Sequence, residues 1–265
     1  MVFSLTLMLA LLAAPGALGF RPSPVAGGIA VVNLPATDEA PQVLFRGERV
    51  LVRRDGRGWL AMVGIPLSAK EGPAALEVNG RQVPFTIRLK RYPEQHVTLK
   101  NPRQVNPNPE DEARIAREQT LLGPAWKAWP AGLSPTLRFR QPTPGRRTAS
   151  FGMRRIFNGE PRNPHPGLDI AAPRGRAVGT PADGVVVLTG DFFFSGNTVM
   201  IAHGEGVVSL LCHLTDITVR QGASVATGDL IGHVGSTGRS TGPHLHWSLS
   251  FNNARIDPAL FFPEK

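Results

Sequence analysis

Five side chains in the second half of the chain stand as candidates to hold or serve a metal ion: His165, Asp169, His213, His244 and His246. His165 and Asp169 lie four positions apart in the segment Asn163-Pro164-His165-Pro166-Gly167-Leu168-Asp169. In an extended chain an even spacing puts both side chains on one side, where a single ion can take an imidazole nitrogen and a carboxylate oxygen. Nearer the C-terminus a glycine-rich loop, residues 235–243, enters His244-Leu245-His246-Trp247-Ser248-Leu249. Strand alternation there points His244, His246 and Ser248 one way and Leu245, Trp247 and Leu249 the other, so a one-residue slip would bury both imidazoles. His213 sits between these motifs, in the apolar run 207–214, where an isolated histidine is ordinarily a packed core residue. The one cysteine, Cys212, excludes an internal disulfide and a multi-cysteine zinc finger, which leaves His and carboxylate to hold any metal.

These side chains need a scaffold, and the composition says what kind. The chain has 265 residues, 42% of them hydrophobic, enough for one large or two ordinary domains. Its 29 Gly and 25 Pro exclude an all-α fold and suit short strands joined by tight turns. Residues 25–100 alternate with period two, as in Phe85-Thr86-Ile87-Arg88-Leu89, and Asp55-Gly56 and Asn79-Gly80 mark hairpins. Residues 20–100 therefore read as a small β-sandwich or barrel. A Pro-rich connector, residues 101–136, carries a short helix with Asn108 as N-cap, Pro109 at its first position and Gly123 just past its end. Residues 137–265 form the domain that carries the candidate site; valine and glycine recur there in the cadence of short strands wrapping a compact barrel.

Residues 1–19 read as a secretory signal cleaved near Gly19: an uncharged apolar run over residues 2–14 is followed by small residues and is too short to span a bilayer. The expected location is the periplasm or cell envelope, or outside the cell, with no transmembrane segment after cleavage. The net charge of +9 attracts anionic surfaces without choosing among them. Arg138, Arg140, Arg146, Arg147, Arg154 and Arg155 make a dense basic patch, but sparse aromatic residues and the absence of a base-reading motif weigh against a nucleic-acid partner. An anionic wall polymer fits better.

Four segments in this order, SFGMRR (150–155), HPGLD (165–169), the strand segment holding His213 and GSTGRSTGPHLH (235–246), resemble the lysostaphin-type, or LytM-like, zinc metallopeptidases that cut peptidoglycan peptides. The resemblance covers roughly residues 137–262. It implies an all-β, mostly β chain whose C-terminal part is a compact β-barrel-sandwich hybrid of the lysostaphin/LytM type, preceded by the small β domain and the linker helix. It also implies Zn²⁺ held by His165, Asp169 and His246, with His213 and His244 as the catalytic histidines and peptidoglycan peptide as substrate. The family usually has an aromatic and a small residue before the first catalytic histidine; here Leu211-Cys212 stand there, and Tyr92 is the one tyrosine of the chain.

Three protein ligands would leave a fourth position for water, the arrangement hydrolysis needs. Two other readings use the same residues. A silent wall-binding or amidase-activating module would characteristically lack some of the five positions, all of which are present. A non-haem iron oxygenase shares the two-His-one-carboxylate set but leaves His213 and His244 without a task.

Overall fold

The computed structural model describes residues 18–263. The expected signal segment falls outside them except for its last two residues, and at that end Leu18 and Phe20 are both buried in the main core. No helix among the described residues is long and apolar enough to cross a membrane.

The chain is mostly β, as its composition predicts, and its sheets stay open where the sequence reading allowed for barrels. Two small sheets make the N-terminal part. One orders Ile29–Leu34, Gly58–Gly64 and Leu51–Asp55; the other orders Glu48–Arg49, Val43–Phe45, Gly72–Val78 and Arg81–Ile87. Their facing residues, among them Val32, Phe45, Val63, Leu76 and Ile87, share one core, which is a sandwich. Asn79 and Gly80 both take positive φ, 48° and 77°, between the paired residues Val78 and Arg81, the conformation a two-residue type I′ hairpin demands. The first hairpin is shifted by one residue from the expected Asp55-Gly56: Asp55 pairs with Gly58, so the loop is Gly56-Arg57. Gly56, at φ 55°, supplies the positive φ at the first loop position.

The strand Gly58–Gly64 reads Gly-Trp-Leu-Ala-Met-Val-Gly, a nearly continuous apolar run, because both its faces are covered. Ala61 and Val63 face the sandwich core, whereas Leu60 and Met62 join Ile29 and Leu51 in the core of the C-terminal domain. Burying each such side chain is worth about 1.5–3 kcal/mol, so the N-terminal sheet is fixed to its neighbour as one body. The amide of Asn252 completes the joint, accepting from the Gly64 N–H at 2.7 Å and donating to the Gly64 carbonyl at 3.0 Å.

The C-terminal sheet has ten strands, with the path Ser224–Val225, Gly184–Phe192, Gly196–Gly204, Val207–Ile217, His244–Phe251, Leu168–Ala171 and Arg146–Ala149. Leu230–Val234 pairs with the far end of Val207–Ile217 and with Ala177–Gly179, and Ala254–Ile256 pairs with His244–Phe251. A parallel pair, Glu94–Val97 with Arg154–Phe157, ties the end of the sandwich segment to the site domain.

The helix runs Pro109–Trp126, with Asn108 and Asp111 forming a capping box. It passes through Gly123, the expected stop, and through Pro124 before ending. Gly123 does not take the left-handed conformation that terminates helices. Tertiary packing overrides the breaker pair: Ala125 is buried, with Leu122 and Trp126 beside it, against Leu188, Met200, Leu210 and Cys212 of the sheet.

Candidate metal and catalytic site

Sheet register assembles the site. Val207–Ile217, His244–Phe251 and Leu168–Ala171 are adjacent strands, with His246 opposite Asp169 on one side and opposite Cys212 on the other. Leu245, Trp247 and Leu249 are fully buried in the core and hold that register, because a slip by one residue would push His246 into their place. His165 arrives from the loop before Asp169, and Gly167 lets it come close. A Cβ at Gly167 would lie 2.5 Å from the Trp247 carbonyl oxygen and 2.7 Å from Nε2 of His246.

His213 reaches the site by a break in the strand. Leu211 pairs with Val199 and Leu214 with Asn197, so the His213 side of the ladder carries one residue too many. His213 itself has φ 63°, the positive value a bulge uses to turn a side chain out of simple alternation. Strict alternation would turn Cys212 and His213 to opposite faces; with the bulge, Cys212 packs in the core beneath the helix and both residues line one cleft. The Cys212 thiol is buried and its pKa is pushed up well above the usual range by burial, which makes it a packing residue and not a nucleophile.

Three ligand atoms converge. Nε2 of His165 lies 3.0 Å from Oδ1 of Asp169 and 3.0 Å from Nδ1 of His246, and Nδ1 of His246 lies 2.8 Å from the same carboxylate oxygen. His165 is fully buried; Asp169 and His246 are nearly so. Nδ1 of His165 lies 3.0 Å from the Ser150 carbonyl, which can only accept, so that nitrogen carries the proton and Nε2 keeps its lone pair. With His246 neutral, the three facing atoms share at most one proton, and nothing else among the described residues satisfies their lone pairs. A cation between them does. Two imidazole nitrogens and one carboxylate oxygen form a donor set suited to zinc, so the residues present fit that metal.

The electrostatics agree. Burial alone would raise the Asp169 pKa, but its contacts with His165 and His246 outweigh it and hold the carboxyl well below the usual range. Burial pushes His246 down to about 4 against the pull of Asp169. His213 falls to about 3 through burial and through the nearby His244 and His246. Both nonligand histidines are oriented by carbonyls. Nδ1 of His213 donates to the Thr237 carbonyl at 2.8 Å, and Nδ1 of His244 to that of Gly242 at 2.8 Å. Each ring, when neutral, therefore carries its proton on Nδ1, and Nε2 of His244 is 3.9 Å from Asp169.

The glycine-rich loop supplies both carbonyls. Gly238, at φ 67°, lies so close to the chain at Gly196 that a Cβ would be 2.4 Å from its nitrogen. Thr237 is pinned beside it, accepting from the Asn197 N–H and donating to the Leu214 carbonyl. Tyr92 plays no part here, since its hydroxyl donates to the Ala26 carbonyl elsewhere.

Sequence reasoning did not identify Arg155 as a partner of the site. Its Nη2 donates to Oδ2 of Asp169 at 3.1 Å, on the side away from the two histidines, while its Nε is buried with no hydrogen-bond partner. The signal available was its position in SFGMRR.

Residues 163–258 match the model of peptidase family M23, and residues 22–90 match the family's N-terminal domain. The DD-carboxypeptidase/endopeptidase Mpg of Neisseria meningitidis is 48% identical over 103 residues, 38% of this chain and 24% of Mpg. The peptidoglycan DD-endopeptidase ShyA of Vibrio cholerae is 48% identical over 86 residues, 32% of this chain and 20% of ShyA. The matches thus span about a quarter or less of these relatives' lengths. The crystal structure of a putative peptidase M23 from Pseudomonas aeruginosa superposes with a TM-score of 0.77 at 40% identity, covering 92% of this chain and 97% of that one. With likeness running through both parts of the chain, it belongs to peptidase family M23.

Proposed function

We propose that the protein is an exported zinc endopeptidase that hydrolyses D-alanyl peptide cross-links of peptidoglycan. The observation that carries this reading is the meeting of Nε2 of His165, Oδ1 of Asp169 and Nδ1 of His246 beside the two further imidazoles of His213 and His244. His165, Asp169 and His246 would hold a zinc ion, which when bound would supply a water of lowered pKa and polarise the scissile carbonyl. The chain's own part is proton transfer and positioning. The rings of His213 and His244, 4.8 Å apart between centroids, lie beside the site with their Nδ1 atoms held by the Thr237 and Gly242 carbonyls. One can accept the proton of the attacking water and return it to the leaving amine, and the other, once protonated, steadies the negative charge on the carbonyl oxygen. Arg155 orients Asp169 and leaves its Oδ1 for the metal. The D-alanyl bond is favoured over a glycyl bridge by the likeness to Mpg and ShyA, which are named as DD-enzymes.

The test is metal analysis of the purified protein together with mass spectrometry of muropeptides released from peptidoglycan. About one zinc per chain and cross-link cleavage that a chelator abolishes are expected. Cleavage unaffected by the chelator, or a metal-loaded protein that releases nothing, would overturn the reading.

A further inference from the structure

We propose that the cleft beside the candidate metal site binds a carboxylate of its peptide ligand through Arg239 and Arg255. The cleft has a volume of about 410 Å³, and among its walls are Trp126, Arg155, His213, Arg239, His246 and Arg255, with no Asp or Glu in the lining. Arg239 comes from the glycine-rich loop and stacks on two rings, with its guanidinium carbon 4.3 Å from the centroid of Phe194 and 4.9 Å from that of Phe157. Arg255 comes from the hairpin after the His246 strand and stacks 4.2 Å over Trp126. Both are partly buried.

Their polar partners are few. Arg239 donates to the Gln104 carbonyl at 3.2 Å, and Arg255 reaches Oδ1 of Asn253 at 3.4 Å. Each guanidinium carries five N–H donors, so most are unused. Among the described residues neither has a carboxylate within ion-pair distance. Several other half-buried arginines do: Arg53 pairs with Glu205, Arg114 with Glu118, Arg155 with Asp169 and Arg162 with Glu160. Arg239 and Arg255 both fall to about 10, through burial and, for Arg239, also through the nearby Arg155 and Arg162.

Withdrawing two cations from water without a counter-charge costs free energy that an arriving anion recovers. A planar fork locked by ring stacking is also already arranged for two-point contact with a carboxylate. Aromatic packing alone would be served by neutral side chains.

This inference rests on the peptidoglycan reading for the identity of the peptide, and it deepens that reading. A peptide strand ending in D-alanine offers a free carboxylate, whereas the interior of a glycyl bridge offers none. The cleft therefore selects the charged strand.

The experiment uses the full described chain treated with a chelator, so that no metal can bind the carboxylate. Calorimetry compares a tripeptide ending in D-alanyl-D-alanine as free acid and as C-terminal amide. The acid should bind at least about 10-fold tighter, the lower end for a charge-assisted hydrogen bond. Arg239→Gln and Arg255→Gln should each bring the ratio toward one, and Arg239→Lys should retain part of it. Thermal midpoints check folding, and Arg255→Lys, which keeps charge and stacking, stands in if Arg255→Gln unfolds.

Equal binding of acid and amide by the unmodified chain, or an unchanged ratio in the variants, would overturn the inference. Peptidoglycan digestion without charge preference sinks the carboxylate site alone. Charge preference without any digestion sinks the hydrolase reading and leaves the anion site standing.

Discussion

Two sets of buried histidines sit in the same sheet and have opposite hydrogen-bond arithmetic. His203, 1% exposed, is satisfied at both nitrogens. The Trp247 indole N–H donates to Oγ of Ser209 at 3.1 Å, Ser209 donates to Nε2 of His203 at 2.8 Å, and Nδ1 donates to the Asp183 carbonyl at 2.8 Å. Every donor meets an acceptor in one direction. His165 and His246 are as deeply buried, yet they turn lone pairs toward each other and toward a carboxylate. Burial is common to both sets, so it cannot separate structural histidines from functional ones. The unmatched acceptors do, because a buried polar group without a partner is costly unless something else binds it.

The largest effects should follow from removing members of the unmatched set. His165→Ala, Asp169→Ala or His246→Ala should abolish stoichiometric zinc and lower cross-link cleavage by about 10⁴-fold or more, the scale on which losing a whole catalytic unit is felt. Metal analysis alongside muropeptide release checks this, and a variant that cleaves at the parental rate would break the ligand assignment. Next come His213→Ala and His244→Ala, expected to keep zinc and lose about 10²–10⁴-fold in turnover, the usual worth of a positioned acid or base. Loss of metal in either would move that histidine into the ligand set. Arg155 is a smaller lever. Arg155→Ala should weaken zinc affinity by about 10–100-fold, the usual cost of losing a group that orients a ligand, with Arg155→Lys intermediate. Titration against a competing chelator reads this directly and separates positioning from a general loss of fold, which thermal midpoints would register.

How far the sequence told these sets apart depends on whether the signal was local. Even spacing suggested His165 with Asp169, and strand alternation His244 with His246, but that His165, Asp169 and His246 serve one ion came from the family likeness, because no local spacing joins residue 246 to the other two. The turn glycines Gly56 and Gly80 were legible because their φ requirement is local. His203 has no local signal of its own: it lies near the end of a strand and is buried through partners, Asp183, Ser209 and Trp247, that spacing does not bring to mind. His213 was named on family likeness, but its bulge was invisible, since positive φ at a histidine follows from the partner strand's register and not from the residue. The helix end at Trp126 was missed because packing of Ala125 on the sheet outweighs Gly123 and Pro124. Arg239 lies in the glycine-rich loop and Arg255 in the hairpin after the His246 strand, and nothing local in the sequence says that the two share a cleft. Pairings that depend on tertiary register leave little trace in a single sequence.

The smallest predicted effect sharpens the comparison from the structural side. Burial pushes His203 down to about 4, although the Asp183 carbonyl and charge favour its protonated form, while the unfolded chain titrates near 6.5. Between those values the unfolded state binds a proton that the folded state refuses, so this residue makes stability rise with pH across the window. Its contribution is full above about pH 6.5 and is lost as pH falls toward about 4. The difference corresponds to about 3 kcal/mol at most. His203→Asn keeps a donor for the Asp183 carbonyl, removes the titration and leaves Ser209 short of one acceptor. Near pH 7.5 it should be less stable than the parent by about 1–3 kcal/mol, the cost of disturbing a buried hydrogen-bond chain, with zinc content unchanged. The gap should narrow as pH falls through 6 to 5, because only the parent still loses stability to His203 protonation in the unfolded chain. Urea midpoints at those pH values decide it. Parallel stability curves for parent and variant would mean that His203 is not held neutral by burial, and the contrast between the two histidine sets would lose its structural half.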